Sequence, residues 1–543
     1  MSAAILAAML LAAEPRAADA VLVAPREFLP ALKPLIEHRQ KQGHGFVYVP
    51  TASTPEGIRS GIRDAAKAGG LKFALLVGDA EPAARVDRAV AARCVPAHLE
   101  KAVVNVKWGS EPQIASDNWY ADLNDDQLPD LAIGRIPADT PAEVARIVAK
   151  ILAYEQSADF GPWRERVNLI AGVGGFSPIL DTVLETATSK LLTSGIPAGY
   201  ETRMTYGSWR SPYCPDPRLF HLTAVERHNE GCLFWIYIGH GSPTALDQVS
   251  VPGERFHIFD VDDCQKLKSA GGAPIALMLA CYTAAFDQPQ DCLAEELLKA
   301  EGGPVAVYGG SRVTMPYAMG VMGTAMMDEY FKTRPPTLGE VVLAAKRKMV
   351  QPIDETNAAA NLNRVLLDGV AAVISPSREM LDAERREHLH LFHLIGDPML
   401  RLTYPDEIGL SAPRDASAGA KLRISGRTKM AGPALLELVC RRDQHKVAPP
   451  ARERFDPTDK ALAAFQGVYE QALDRCWARW ALDLPAGEFA TDITLPAECR
   501  GPCHFRLLVA NGSSYGLGAT SLYIRQPEAP TQIAQPAANT GAR

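Results

Sequence analysis

The sequence predicts an α/β protein followed by a β-sandwich, and three observations carry that prediction. Apolar runs such as Leu233-Phe-Trp-Ile-Tyr-Ile and Ile275-Ala-Leu-Met-Leu-Ala have the continuous hydrophobicity of strands covered on both faces. From Val21 to about residue 405 such runs alternate with helical patterns, the signature of an α/β sheet. Beyond Asp406 the chain changes to short strand-like runs separated by turns, which reads as a sandwich. At 543 residues several domains are expected. The net charge of −7, with no basic tail, gives no sign of a nucleic-acid partner.

The elements follow in order. Residues 3–13 are a short apolar run, and Ala18-Asp-Ala20 has the small-x-small form of a cleavage site, so residues 1–20 read as a signal peptide. Export, to the periplasm, cell surface or medium, is the expected localisation. No other stretch reaches the ~18 apolar residues a transmembrane helix needs, so no stable membrane insertion is expected. Strands are predicted at Val21–Ala24, Phe46–Val49, Phe73–Val77 and Leu131–Arg135. Thr140-Pro-Ala-Glu143 starts a helix, with Pro at the first helical position and Glu at the third. Val167–Ala171 opens a second α/β unit, and Leu180-Asp181 begins a helix ending near Gly195. The expected boundaries are 21–160 and 161–405 for two α/β subdomains and 406–525 for the sandwich. The sandwich carries a helical insertion near residues 460–479, and 526–543 is a Pro-, Ala- and Gln-rich disordered tail.

Chemistry concentrates at two strand ends. The run from Leu233 stops at Gly239-His240-Gly241, where flanking glycines permit a sharp turn and close approach of a ligand. The run from Pro274 ends at Cys281. If the two strands are parallel neighbours, both side chains emerge at the carboxyl edge of the sheet, where open α/β sheets bind ligands. A thiol beside an imidazole is a nucleophile with its base, which points to a cysteine hydrolase, foremost a peptidase. The competing reading of Cys281 is a buried core residue. Gly172-x-Gly174 lacks the third glycine of a dinucleotide fingerprint, so no nucleotide cofactor is expected. His388, His390 and His393 are spaced to point apart and read as structural.

Asp122, Asn124, Asp126 and Asp130 occupy positions 1, 3, 5 and 9 of a calcium-loop pattern. Position 6 is Gln127 rather than Gly and position 12 is not Glu, which leaves a solvated acidic turn beside a structural Ca²⁺ site as the two readings. No other cofactor is expected. Of ten cysteines, Cys499 and Cys503 stand close enough in sequence to close a small loop, or to remain small buried residues.

Taken together, Tyr237-Ile-Gly-His240-Gly-Ser and Leu279-Ala-Cys281 resemble the active-site motifs of the gingipain family of caspase-like cysteine peptidases. The resemblance extends through Ser116-Asp-Asn-Trp-Tyr, Pro129-Asp-Leu-Ala-Ile-Gly-Arg135, Ala294-Glu-Glu-Leu-Leu and Gly396-Asp-Pro398, in the family's order, over roughly residues 21–404. It implies a caspase-like catalytic unit of two α/β subdomains followed by an immunoglobulin-like domain. It also implies Cys281 as nucleophile, His240 as proton donor to the leaving amine, and the Gly241 and Cys281 amides as oxyanion donors. Asp181 falls on the specificity aspartate of arginine-specific members, and Tyr317 near an aromatic pocket wall, so the expected substrates are proteins or peptides cut after Arg or Lys. Where those members carry an acidic residue near the histidine, this chain has Val173. The first strand follows the cleavage site directly, so no propeptide of the family's kind is expected between them. The alternative function is a non-catalytic, or single-partner processing, homologue that uses the fold for protein binding.

Overall fold

The structure is a computed structural model that describes residues 18–173, 195–269, 272–351, 369 and 378–526. The signal-peptide reading falls almost wholly on residues 1–17, outside the described residues, as do Asp181 with its helix and the tail beyond residue 526. Among the described residues no helix is long and apolar enough to cross a membrane.

Among the described residues, fourteen strands belong to the first part of the chain: β1 (Ala20–Ala24), β2 (Phe46–Pro50), β3 (Phe73–Val77), β4 (His98–Lys101), β5 (Gln113–Ser116), β6 (Ala132–Ile136), β7 (Arg166–Ala171), β8 (Glu201–Tyr206), β9 (Phe234–Ile238), β10 (Gln248–Val251), β11 (Glu254–His257), β12 (Ile275–Leu279), β13 (Ala306–Gly310) and β14 (Phe392–Ile395). Ten of them form one sheet in the order β2-β1-β3-β6-β14-β13-β12-β9-β7-β8. All neighbours are parallel except β13 and β14. β1, β3, β6 and β12 are buried at every residue, which explains why β1, β3 and β12 are unbroken apolar runs rather than alternating ones; β6 is interrupted by Arg135. The predicted boundary near residue 160 runs through this sheet. The four strands before it and the six after it meet at β6 and β14, paired only at Arg135 and Ile395.

Buried ion pairs reinforce that junction. Arg135 grips Asp117 through two hydrogen bonds of 2.7 Å, and its third nitrogen donates to the carbonyls of Gly78 and Val95. Arg39 donates to Asp397 at 2.7 and 3.0 Å and to Glu155 at 2.8 Å, tying the helix Leu29–Lys41 to the loop after β14. All of these guanidinium groups are fully buried, so each needs its complete set of acceptors.

The second part folds as two sheets, one of six strands and one of three. Ile424, Phe489 and Ile493 from the smaller sheet pack in one core with Leu436, Phe505 and Leu522 from the larger. This is a β-sandwich region consistent with an immunoglobulin-like domain. The predicted helical insertion is the helix Asp459–Leu473; Cys476–Leu484 is instead a strand, with Leu436 opposite Trp480. The chain divides into two compact units, and residues 449–473 go with the first, not with the sandwich that flanks them in sequence. Tyr469 accounts for part of this, its hydroxyl meeting that of Thr205 on edge strand β8 at 2.8 Å. All ten cysteines, Cys499 and Cys503 included, are free thiols.

Candidate active site

β9 and β12 are parallel neighbours, and Ile238 pairs with Leu279. His240 and Cys281 therefore each lie two residues beyond the last paired position, at the carboxyl edge of the sheet. Gly241 stands between them. A Cβ added to it would sit 2.6 Å from the Cys281 carbonyl oxygen and 3.0 Å from the Ala280 methyl, so only glycine fits this close approach. Gly239 adopts φ of 158°, in the region that favours glycine, and an added Cβ there would strike the Tyr237 hydroxyl. Both glycines of the Gly-His-Gly motif are thus fixed by backbone geometry at the strand end.

Cys281 is half-buried. The Thr314 amide donates to its sulfur at 3.3 Å, and the Thr314 carbonyl and hydroxyl lie 3.6 Å from it. The next residue, Tyr282, has φ of 59°, an unusual conformation for a bulky side chain that costs on the order of 1–3 kcal/mol. It is held there by its amide, which donates to the Arg312 carbonyl at 3.1 Å, and by its hydroxyl, which donates to Glu111 at 2.9 Å. Arg312 is itself clamped by Asp287 through contacts of 2.8 and 2.6 Å. A strained turn that is secured from three sides presents the thiol at the end of β12.

Two residues that the sequence reading did not single out complete the surroundings of His240. The Tyr237 hydroxyl donates to the His240 carbonyl at 2.7 Å and accepts the Asp247 amide at 3.2 Å. Burial, then the Asp247 charge, raises the Tyr237 hydroxyl well above its usual range, so it remains a donor. Burial also raises the Asp247 carboxyl; the Gln248 amide, His240 and Arg255 pull it the other way. The Asp247 carboxylate is thus within Coulombic reach of His240. It also packs over Gly172, where an added Cβ would lie 3.1 Å from Oδ2. That contact explains the glycine at 172 without any nucleotide phosphate. Val173 directly follows it, and Asp247 brings a carboxylate to the same strand end from a different element. The signal for this segment is Pro252-Gly253, a turn pair between Gln-Val-Ser-Val and Glu-Arg-Phe-His, which form the hairpin β10–β11.

Tyr317 is buried three residues beyond Thr314, and Arg385 donates to its hydroxyl. Asp181 lies outside the described residues. The acidic loop has its carboxylates turned on its own backbone. Asp122 accepts the amides of Asn124, Asp125 and Gln127 at 3.2, 2.7 and 3.1 Å, Asp126 accepts that of Leu128, and Asp130 accepts that of Leu123. Asn124 accepts the Asp126 amide, and Arg59 reaches Asp122 at 3.5 Å. The clusters of three metal-capable side chains among the described residues lie elsewhere. His388 accepts the Met315 amide at 3.0 Å through Nε2 and donates to the Glu384 carbonyl through Nδ1, while His393 is buried on β14.

The model of peptidase family C25 matches residues 13–403. The chain belongs to peptidase family C25. This is a family of cysteine-type peptidases, and its members act on protein substrates. Among curated relatives, Lys-gingipain HG66 of Porphyromonas gingivalis is 26% identical over 214 residues, 38% of this chain. The match spans 11% of that relative's length. The crystal structure of the Arg-specific cysteine proteinase gingipain R superposes with a TM-score of 0.52 at 15% identity, over 94% of this chain and 99% of the other. The complex of pro- and mature domains of RgpB from Porphyromonas gingivalis gives 0.51 at 15%, over 93% and 100%. At that identity the likeness establishes a common fold, gingipain-like, with the α/β unit ahead of the sandwich.

Proposed function

We propose that this chain is an exported cysteine endopeptidase that hydrolyses peptide bonds through Cys281 and His240. The observation that supports this most directly is the common register that brings both residues off adjacent strands at one edge. In this reading His240 takes the thiol proton of Cys281 as the sulfur attacks the scissile carbonyl carbon, and the carbonyl oxygen takes up the negative charge opposite the amides of Gly241 and Cys281. Each such donor contributes about 2.7–4 kcal/mol to the transition state in comparable hydrolases. The carbon–nitrogen bond then breaks as His240 passes a proton to the departing amine, leaving a thioester. Water, losing its proton to His240, hydrolyses the thioester and restores the thiol. Asp247 is a positioning residue in this scheme: its negative charge favours the imidazolium that forms in each half-reaction.

Substrate choice follows from Asp181 in the same reading. A carboxylate in the pocket selects a basic P1 side chain through charge-assisted hydrogen bonds, Arg ahead of Lys because the guanidinium binds in bidentate fashion. Relatives that carry the name Lys-gingipain support a basic P1 residue in general rather than Arg in particular. The experiment is hydrolysis of peptides varied at P1, by the wild type and by Asp181→Asn. The proposal expects basic P1 residues to be preferred, and the variant to lose kcat/KM on Arg peptides far more than on neutral ones. Equal loss on both, or a wild type that prefers apolar P1 residues, overturns the specificity but leaves the peptidase reading standing.

A further inference from the structure

The hairpin that follows Asp247 carries a second group of ligating side chains. His257 ends β11, His221 lies in the first turn of the helix Phe220–Asn229, and Asp263 lies in the 3₁₀ turn Val261–Lys266. One ligand atom from each of these three residues lies within 4.8 Å of the other two. His257 Nε2 stands 3.4 Å from Asp263 Oδ2 and 3.9 Å from Asp260 Oδ2. Donors that sit ~2.0–2.2 Å from a tetrahedral Zn²⁺ are about 3.3–3.5 Å apart, so the closer pair already has the spacing of one tetrahedral edge. The rings of His221 and His257 face each other with centroids 4.1 Å apart and planes 28° from parallel.

The chemistry of the donors is that of a borderline divalent cation. Two imidazoles and one carboxylate suit Zn²⁺, whereas Ca²⁺ takes six to eight oxygens. Asp263 is buried and oriented from behind: Lys266 holds Oδ1 at 2.7 Å, and the Asp260 amide donates to Oδ2 at 3.3 Å. Ligating carboxylates are characteristically fixed by such outer contacts. Asp260 and Asp263 together bring two negative charges against the single positive charge of Lys266, leaving the group attractive to a cation.

We propose that His221, His257 and Asp263 form a Zn²⁺ site, with Asp260 or a water molecule completing the tetrahedron. The ion would join three segments distant in sequence: the β10–β11 hairpin, the helix from Phe220 and the 3₁₀ turn. Since the hairpin begins at Gln248, next to Asp247, the same ion steadies the segment that carries this carboxylate. The site does not depend on the peptidase reading.

The test is titration of Zn²⁺ into the full chain carrying Cys281→Ala, which removes a thiol that would compete for the metal, with calorimetry and thermal melting as readouts. One bound ion per chain is expected, with Tm raised by several degrees at ~100-fold excess over Kd. His257→Ala, at a partly exposed ligand, should weaken binding at least 10-fold and cancel the rise in Tm; His221→Gln serves as the second variant if the first does not fold. Co²⁺ in place of Zn²⁺ should give the visible bands of a tetrahedral nitrogen and oxygen site. Absence of binding, unchanged affinity in a folded variant, or an intense near-ultraviolet thiolate band that places the ion on a cysteine would each overturn the proposal.

Discussion

His240 and Cys281 stand at matching positions on neighbouring parallel strands, each two residues beyond the pair Ile238–Leu279. Parallel register makes this a property of the sheet rather than of a mobile loop, and Gly241 packed on the Cys281 carbonyl fixes the gap between the two chain segments. Cys281→Ala is expected to abolish peptide hydrolysis. His240→Ala should lower kcat by about 10²–10⁴, the usual worth of a positioned acid–base group, with an unchanged circular dichroism spectrum. Turnover by Cys281→Ala on every substrate the wild type cleaves would refute the mechanism.

In the proposed mechanism Asp247 acts through its charge: its carboxylate accepts the Gln248 amide at 2.7 Å and lies within Coulombic reach of His240. A moderate effect is expected: Asp247→Asn should reduce kcat about 10- to 100-fold while KM holds, because one lost charge near the imidazolium is worth about 1.4–2.8 kcal/mol at intermediate dielectric. The carboxyl is raised by burial, so the wild type loses this charge as pH falls through the raised value. The acid limb of the pH–rate profile should contain that inflection, and Asp247→Asn should lack it. A variant with wild-type kcat and an unaltered acid limb would show that Asp247 is merely structural.

The strands of the sheet were legible because burial on both faces imposes unbroken apolar runs, and Gly-His-Gly and Cys281 were legible because they end two of those runs. The motifs around Asp117, Arg135 and Asp397 were recognisable from the sequence, but their physical meaning was not. They are buried ion pairs between residues 18 and 358 positions apart, and nothing local in the sequence announces such partners. Asp247 was missed because a lone Asp one residue before the four-residue strand Gln248–Val251 carries no local sign that its carboxylate packs over Gly172 at the end of another strand. The helix Asp459–Leu473 was foreseen, while its membership of the first compact unit was not, because helical periodicity shows that a face is buried without showing against what.

The acidic loop tests Ca²⁺ against the protein's own donors. Three amides and Arg59 already meet Asp122, so an ion would have to draw Asp122, Asn124, Asp126 and Asp130 away from them. If a Ca²⁺ site exists, chelator lowers Tm and elemental analysis finds the metal in the purified protein. If the amides hold the loop alone, Tm is the same with excess chelator and with Ca²⁺. In either case Asp122→Ala should destabilise the protein by about 1–3 kcal/mol, because it orphans partly buried amides.

Glu384 and His388, one helical turn apart, should impose opposite pH dependences on stability. Burial lowers His388 to about 4 from the ordinary histidine value, and it raises the Glu384 carboxyl to about 7. Below about pH 6.5 the unfolded chain protonates His388 and the folded protein does not, so this residue makes stability fall as pH drops towards 4. Glu384 works the other way. The folded protein keeps its carboxyl proton while the unfolded chain has released it, so its contribution is full below the unfolded value and is lost as pH rises towards 7. Between about pH 4.5 and 6.5 each slope is about 1.4 kcal/mol per pH unit, and the two cancel in the wild type. His388→Gln keeps an acceptor for the Met315 amide, and Glu384→Gln keeps one for the Ala318 amide. Denaturant unfolding across this window should therefore give differences from wild type of opposite sign: the stability of Glu384→Gln relative to wild type rises with pH, and that of His388→Gln falls. Parallel pH profiles for all three proteins would mean that neither group changes its protonation on unfolding in this range, which contradicts the burial of both.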